Sequence, residues 1–473
     1  MVLLLGTGEL FAQPTLRLVE LDTTFNQPVD ITKAHDGTDE IYITERLGRV
    51  YRYSRTEEQT RLVLDLSHLV ESKTLGGMLG LDFHPQFPDS SYFYVNYTAE
   101  ANRPDVALVS RISRFTMGRN GVADLESEYV IMQLDQPGIY HNLGDIAFGP
   151  DGYLYVPSGD GSLENDEYRA GQDPTVRLGK LLRIDVNRPG DSLNYSIPAD
   201  NPYVSSTDTL PEIWSMGLRN PRQLSFDRAT GDLWIGDIGE FNYQEMNYQR
   251  VGNGGGQNYG WSCMEGFEPY PVQDTSCGSA KMYDPPRFVY PTTSDDGVNG
   301  AFIIGGYVYR GPEEELGGYF FFGDFLGSTL FAYSTEDSTG TIYNVTPETP
   351  VSNVSCFGES NDGSMFVASY NGQIFRMEGP DTTTAVGYRV KSPTLTVYPN
   401  PTTGGVRVDI PPSLHGPALL TVTTMAGREV LRQARTVQGE AGIDLMLSDL
   451  GPGIYVLRLA TATAAATARL LLR

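Results

Sequence analysis

Cysteine is scarce in this chain, with three residues in 473. That excludes a small scaffold built on disulfides, which needs a dense framework of bridges. Basic residues are also few. Lys and Arg number 34 against 59 Asp and Glu, a formal charge of −25. A surface of that sign repels phosphate backbones, so nucleic acid is excluded as a partner. No apolar run is long enough to cross a bilayer as a helix, and the opening MVLLLGTGELFAQ is too short. Long stretches of helical period are missing as well, which leaves a β protein.

Turn and strand formers are abundant, with 52 Gly, 30 Pro and 28 Tyr. They fall into a repeated unit of turn, apolar strand, Gly-containing turn and apolar strand. The copies begin at 36–53, 91–97, 151–186, 230–237, 317–324 and 362–376. Each unit is large enough for a four-stranded blade with loops. One blade exposes both faces and cannot bury a core, whereas blades packed around an axis bury face against face. The pattern predicts an all-β six-bladed β-propeller over residues 14–378. Residues 1–13 read as the end of a secretory signal lacking its basic region, the alternative being a disordered N-terminus. Residues 379–392 read as a linker. Residues 393–473 alternate apolar and polar positions between turn signals, which predicts a separate small β-sandwich.

Cys263 and Cys277 bracket a loop rich in Gly and Pro and are expected to pair in an oxidising compartment. Closing a loop of about 15 residues contributes roughly 3 kcal/mol in the chain-entropy description. Cys356, beside a strand, is expected to be a buried free thiol.

The stretch HNLGDIAFGPDGYLYVPSGDG (141–161) carries the candidate chemistry. His141 precedes a short strand and Asp160 follows it, so both can meet at one rim of a sheet. Imidazole beside carboxylate is the arrangement of an oriented general base. A surface histidine near a polar turn is the plainer alternative.

These residues, with the Asp-Ile-Ala-Phe-Gly-Pro-Asp-Gly string at 145–152, resemble the PQQ-dependent sugar dehydrogenases, a family of six-bladed propellers. The resemblance runs from about Pro28 to Arg376. It implies His141 as base and Asp160 as its partner. In MGLRNP (216–221) it implies that Arg219 stabilises the quinone oxygen and that Asn220 supports the cofactor. In GDIGEFNYQEMN (236–247) and GQNYGW (256–261) it implies two calcium sites. Main-chain carbonyls of Gly239 and Glu240 hold the cofactor's ion, and Glu245 and Tyr259 hold a structural one. Three family contacts to PQQ have no counterpart: Gly76 stands at the glutamine, Phe325 or Leu326 at the lysine, and residues 352–355 at paired arginines. Arg310 is the cation expected to replace them.

The C-terminal motifs YPNP and GIYVL resemble the sorting domain of the type IX secretion system. That implies export across the outer membrane to the surface or medium, with the secretion machinery as a partner. The resulting expectation is a secreted, PQQ- and calcium-dependent oxidoreductase acting on an aldose or related sugar. The alternative is a non-catalytic propeller that binds a glycan or protein at its tunnel mouth, as in the hedgehog-interacting-protein-like branch.

Overall fold

The computed structural model of the protein describes residues 13–72, 75–271, 277–292, 301–336, 340–347, 350–380, 395–410, 416–424, 429–437, 442–448, 450–461 and 465–473. The chain divides into two compact units, Gln13–Pro380 and a second made mainly of the residues from Asp381 onward. The expected linker and the expected signal remnant lie largely outside the described residues.

In the first unit, each repeat supplies the second strand of a four-stranded antiparallel sheet, and three of them the third strand as well. Six such sheets form the blades. Their first strands are Pro28–Thr32, Met78–Phe83, Ala147–Phe148, Pro221–Phe226, Ile303–Val308 and Val354–Glu359. Apart from the very short third strand, these are almost wholly buried, and neighbouring ones pack against each other in a ring around the axis. The ring is tight where the chain has glycine. A Cβ at Gly144 would lie 2.1 Å from the carbonyl oxygen of Pro221.

The last blade is completed by an element the repeat did not announce. Arg17–Thr24 pairs antiparallel with Gln373–Glu378, so the chain's beginning closes the blade made from the end of this unit. That closure ties the ring shut through the last blade. Between blades the core is largely aromatic, with Tyr42, Phe83, Phe93 and Phe115 at one interface and Trp234, Phe288, Phe320 and Tyr333 at another.

The first strands run in the same sense, so their starts share one rim of the tunnel and their ends the other. Inside sit three buried carboxylates, Asp30, Asp82 and Asp145. Burial pushes the Asp30 carboxyl up to about 8. The Leu81 amide opposes that shift, while Asp82 reinforces it. Burial likewise raises Asp82 and, strongly, Asp145, with Arg222 acting against it at Asp145. A carboxyl whose folded pKa is raised contributes stability that is complete below its unfolded value, about 4. That stability is lost as pH rises through about 8. The melting temperature should therefore fall as pH rises from 5 to 8. Asp30→Asn should flatten the slope. A melting temperature constant over this range would contradict the assignment.

The second unit is a sandwich. A three-stranded sheet (Thr396–Tyr398, Gly405–Asp409, Ile443–Met446) and a four-stranded one (Gly416–Thr424, Glu429–Val437, Gly453–Thr461, Ala465–Leu472) enclose one core. Val408, Leu420, Val422, Leu457 and Leu459 fill it. Cys263 and Cys277 are bonded, and Cys356 is a buried free thiol.

Candidate active site

His141 sits at the rim where the first strands begin, at φ +46°. That left-handed backbone is rare for a side chain with a Cβ and accumulates at functional sites. Its carbonyl and Cβ press on Gly159, where an added Cβ would meet the His141 oxygen at 2.3 Å. Backbone bonds from Gly159 N to Asn142 O (3.0 Å) and from Gly161 N to His141 O (3.3 Å) fix the two segments together. The sequence separates His141 and Asp160 by an antiparallel hairpin, Ala147–Phe148 and Leu154–Ser158, which returns them to one rim.

His141 Nδ1 lies 2.8 Å from Asp160 Oδ1. A carboxylate only accepts, so Nδ1 carries the proton and Nε2 the free lone pair. Asp160 is wholly buried. The Ser162 amide donates to its Oδ1 (3.0 Å) and the Trp261 indole to its Oδ2 (2.7 Å). Burial lowers the His141 pKa below its ordinary 6.5, with Asp160 opposing. The imidazole is therefore neutral at neutral pH and ready to accept a proton. Nε2 has no partner among the described residues.

Arg219 is tied to this pair, because its carbonyl accepts the Asp160 amide at 2.8 Å. Asp237 cradles the segment, accepting the amides of Arg219 (2.9 Å) and Asn220 (2.7 Å). Burial, the largest cause, lifts the Asp237 carboxyl to about 7. The Arg219 guanidinium donates to the carbonyls of Ile238 (3.0 Å), Gly239 (2.9 Å) and Leu163 (3.3 Å), and lies 5.3 Å over the Trp261 ring. Glu240 stands 3.5 Å from its Nε.

The expected metal ligands fall into two groups. Gly239 presents its carbonyl to Arg219, so an ion there would share that oxygen with a guanidinium. The Glu240 carboxylate is buried, and it accepts the Asn165 amide and the Tyr270 hydroxyl (2.9 Å). The second group has spare oxygens. Burial raises Glu245 to about 8, with Asp237 and Glu265 adding to the shift. Asn247 lies beside it and favours its charged form, while the Tyr259 hydroxyl is buried nearer Ser215 and Asp284. Calcium takes such oxygens, so the Glu245 group fits a hard cation better than the Gly239–Glu240 pair. Among the described residues no cluster of three or more His, Cys, Asp or Glu is arranged to hold a metal.

Arg310 requires correction. It lies beyond the end of its blade's first strand, Ile303–Val308, while the rim near His141 is at that strand's beginning. At about 3.3 Å per residue the separation is roughly 20 Å. There it forms a bidentate pair with Asp227 (2.9 and 2.7 Å). Its place and its partner take it out of the cofactor set.

A cavity of ≈ 150 Å³ opens at the tunnel mouth beside Asn142 and Asn220. Phe302, Phe325, Ser355 and Tyr370 line its far side, so blades five and six bring aromatic rings where the family pattern has cations. Arg46 and Arg222 are the cations on its wall. Asn142 Oδ1 is buried there without a partner. A flat apolar body with polar edges suits this lining, which is a fit for the quinone. Sequence reasoning missed Trp261, Asp237 and Arg222. Trp261 was visible as a rare residue, one of three tryptophans, ending the GQNYGW string.

Residues 396–473 match the secretion-system C-terminal sorting domain. The HIPL1 protein of Arabidopsis thaliana is 26% identical over 424 residues, covering 73% of this chain and 60% of its own. Hedgehog-interacting protein of Homo sapiens is 28% identical over 328 residues, covering 66% of this chain and 43% of its own. The chain thus spans about half the length of these relatives. The PQQ-bound form of an aldose sugar dehydrogenase from Streptomyces coelicolor shares the propeller fold. Its TM-score is 0.58 at 18% identity, over 78% of this chain and 98% of that one. Residues 25–376, most of the sequence, match the model of the Glucose / Sorbosone dehydrogenase family, and the chain belongs to that family.

Proposed function

We propose that the protein is an exported, PQQ- and calcium-dependent dehydrogenase that oxidises an aldose or related sugar at the tunnel mouth. The observation that carries this reading is the oriented base: a neutral His141 with Nδ1 fixed on buried Asp160 and Nε2 free. When bound, the quinone would supply the two-electron acceptor for the hydride of the sugar C1. His141 Nε2 takes the proton of the C1 hydroxyl, and Asp160 stabilises the imidazolium that results. Arg219 supplies positive charge beside the mouth for oxygen that becomes anionic. Asn220 and Asn142 offer amide groups to the cofactor's edge, and Glu245 with Tyr259 and Asn247 would hold structural calcium.

The test is dye reduction by purified protein with PQQ, calcium and a panel of aldoses. Turnover dependent on all three supports the reading. Its absence with every sugar favours the second reading, a binding propeller. That alternative draws on Phe302, Phe325 and Tyr370, which give the mouth an uncharged wall suited to a glycan or protein.

The C-terminal sandwich serves export through the type IX machinery. A chain ending at about Gly379 should keep the melting temperature of its propeller and fail to leave the cell, because the two units have separate cores. Truncated protein found in the host's medium would contradict the sorting role. Among the described residues no helix is long and apolar enough to cross a membrane.

A further inference from the structure

Four arginines bear on the cofactor question, and three are engaged. Arg219 donates to backbone carbonyls, and Arg310 pairs with Asp227 at the other rim. Arg46 donates to Gln27 and to the carbonyls of Ser72 and Gly76. Arg222 differs. It is the second residue of the fourth blade's first strand and lines the mouth cavity. Among the described residues its guanidinium has no hydrogen bond and no ion pair.

The acids near Arg222 do not claim it. Asp145 and Asp30 lie close enough to favour its charge, but neither is in ion-pair contact with it; Asp145 Oδ1 accepts the Ile146 amide (2.8 Å) and Asp30 Oδ2 the Leu81 amide (2.8 Å). Tyr370, from the opposite wall, is also within its electrostatic reach. Arg222 therefore presents five N–H donors toward a cavity whose far side is aromatic. The half-buried guanidinium faces the cavity with its donors unused, and a carboxylate is the group whose geometry answers its fork.

We propose that Arg222 anchors a carboxylate of the cofactor from within the tunnel mouth, replacing the cations that blades five and six lack. The proposal rests on the quinone reading above. PQQ is a tricarboxylate, so its trimethyl ester keeps the flat body and removes the anionic edge.

The experiment titrates PQQ and its trimethyl ester, each with calcium, into full-length wild-type protein and Arg222→Gln, read by tryptophan quenching or calorimetry. Wild type should prefer the acid to the ester by tenfold or more. In Arg222→Gln the Kd for PQQ should rise about 10- to 100-fold, the loss of one hydrogen bond to a charged group. The Kd for the ester should stay where it was. A folded Arg222→Gln that keeps the full acid preference would overturn the proposal. So would a wild type that binds acid and ester equally, a result that needs no variant to fold. Wild type that binds neither compound overturns the quinone reading and this proposal together, whereas binding without charge preference overturns this proposal alone.

Discussion

His141→Gln should lower turnover about 10²-fold or more while leaving PQQ affinity close to that of wild type. Glutamine keeps a polar side chain of similar reach at a left-handed backbone position and removes only the proton acceptor. The imidazole touches no other functional group than Asp160, so cofactor contacts at Asn220 and Arg222 stay in place. Asp160→Asn should fall between, because the amide can still bond Nδ1 but no longer stabilises the imidazolium. The pH profile separates the two. Burial holds the His141 pKa below 6.5, so wild-type activity should decline only on the acid side of that value. Removing the Asp160 carboxylate, which opposes that shift, should move the decline to still lower pH. An Asp160→Asn profile superimposable on wild type would show that the carboxylate does not tune the base.

Arg219→Ala should damage turnover, cofactor binding and stability together. Loss of positioned charge at a developing oxyanion typically costs about 10²–10³ in kcat. The same guanidinium spans the carbonyls of Ile238, Gly239 and Leu163 and stands beside buried Glu240. Removing one partner from a buried charge pair costs about 3–5 kcal/mol, which should appear as a lower melting temperature. Arg219→Lys distinguishes charge from geometry: lysine restores the charge near Glu240 but cannot span the carbonyls. Recovery of stability without recovery of turnover is the expected result. An Arg219→Ala protein with wild-type kcat would remove this residue from the mechanism.

The blades were legible because each carries its own local signal, a turn followed by an apolar strand in period two. The closing strand Arg17–Thr24 was not, since it has no turn partner nearby and pairs with residues about 350 positions away. His141 and Asp160 were legible for a similar reason, lying on either side of one short hairpin. Trp261 reaches Asp160 from another blade's loop, a contact that only the closed ring creates. Arg310 shows the limit most plainly. Residue type and neighbourhood made it a plausible cation for the mouth, but strand direction sends it to the far rim. Arg222, three residues after Arg219, sits at the right end because its strand begins there.

The central claim is that His141 serves a quinone that oxidises sugar at the tunnel mouth. The most direct measurement is an anaerobic titration of PQQ-loaded protein with aldose, following the quinone's absorbance without any dye. The account predicts stoichiometric bleaching in wild type, slowed at least 10²-fold in His141→Gln. A loaded wild type whose spectrum no aldose changes, or a His141→Gln protein that bleaches as fast as wild type, would contradict it.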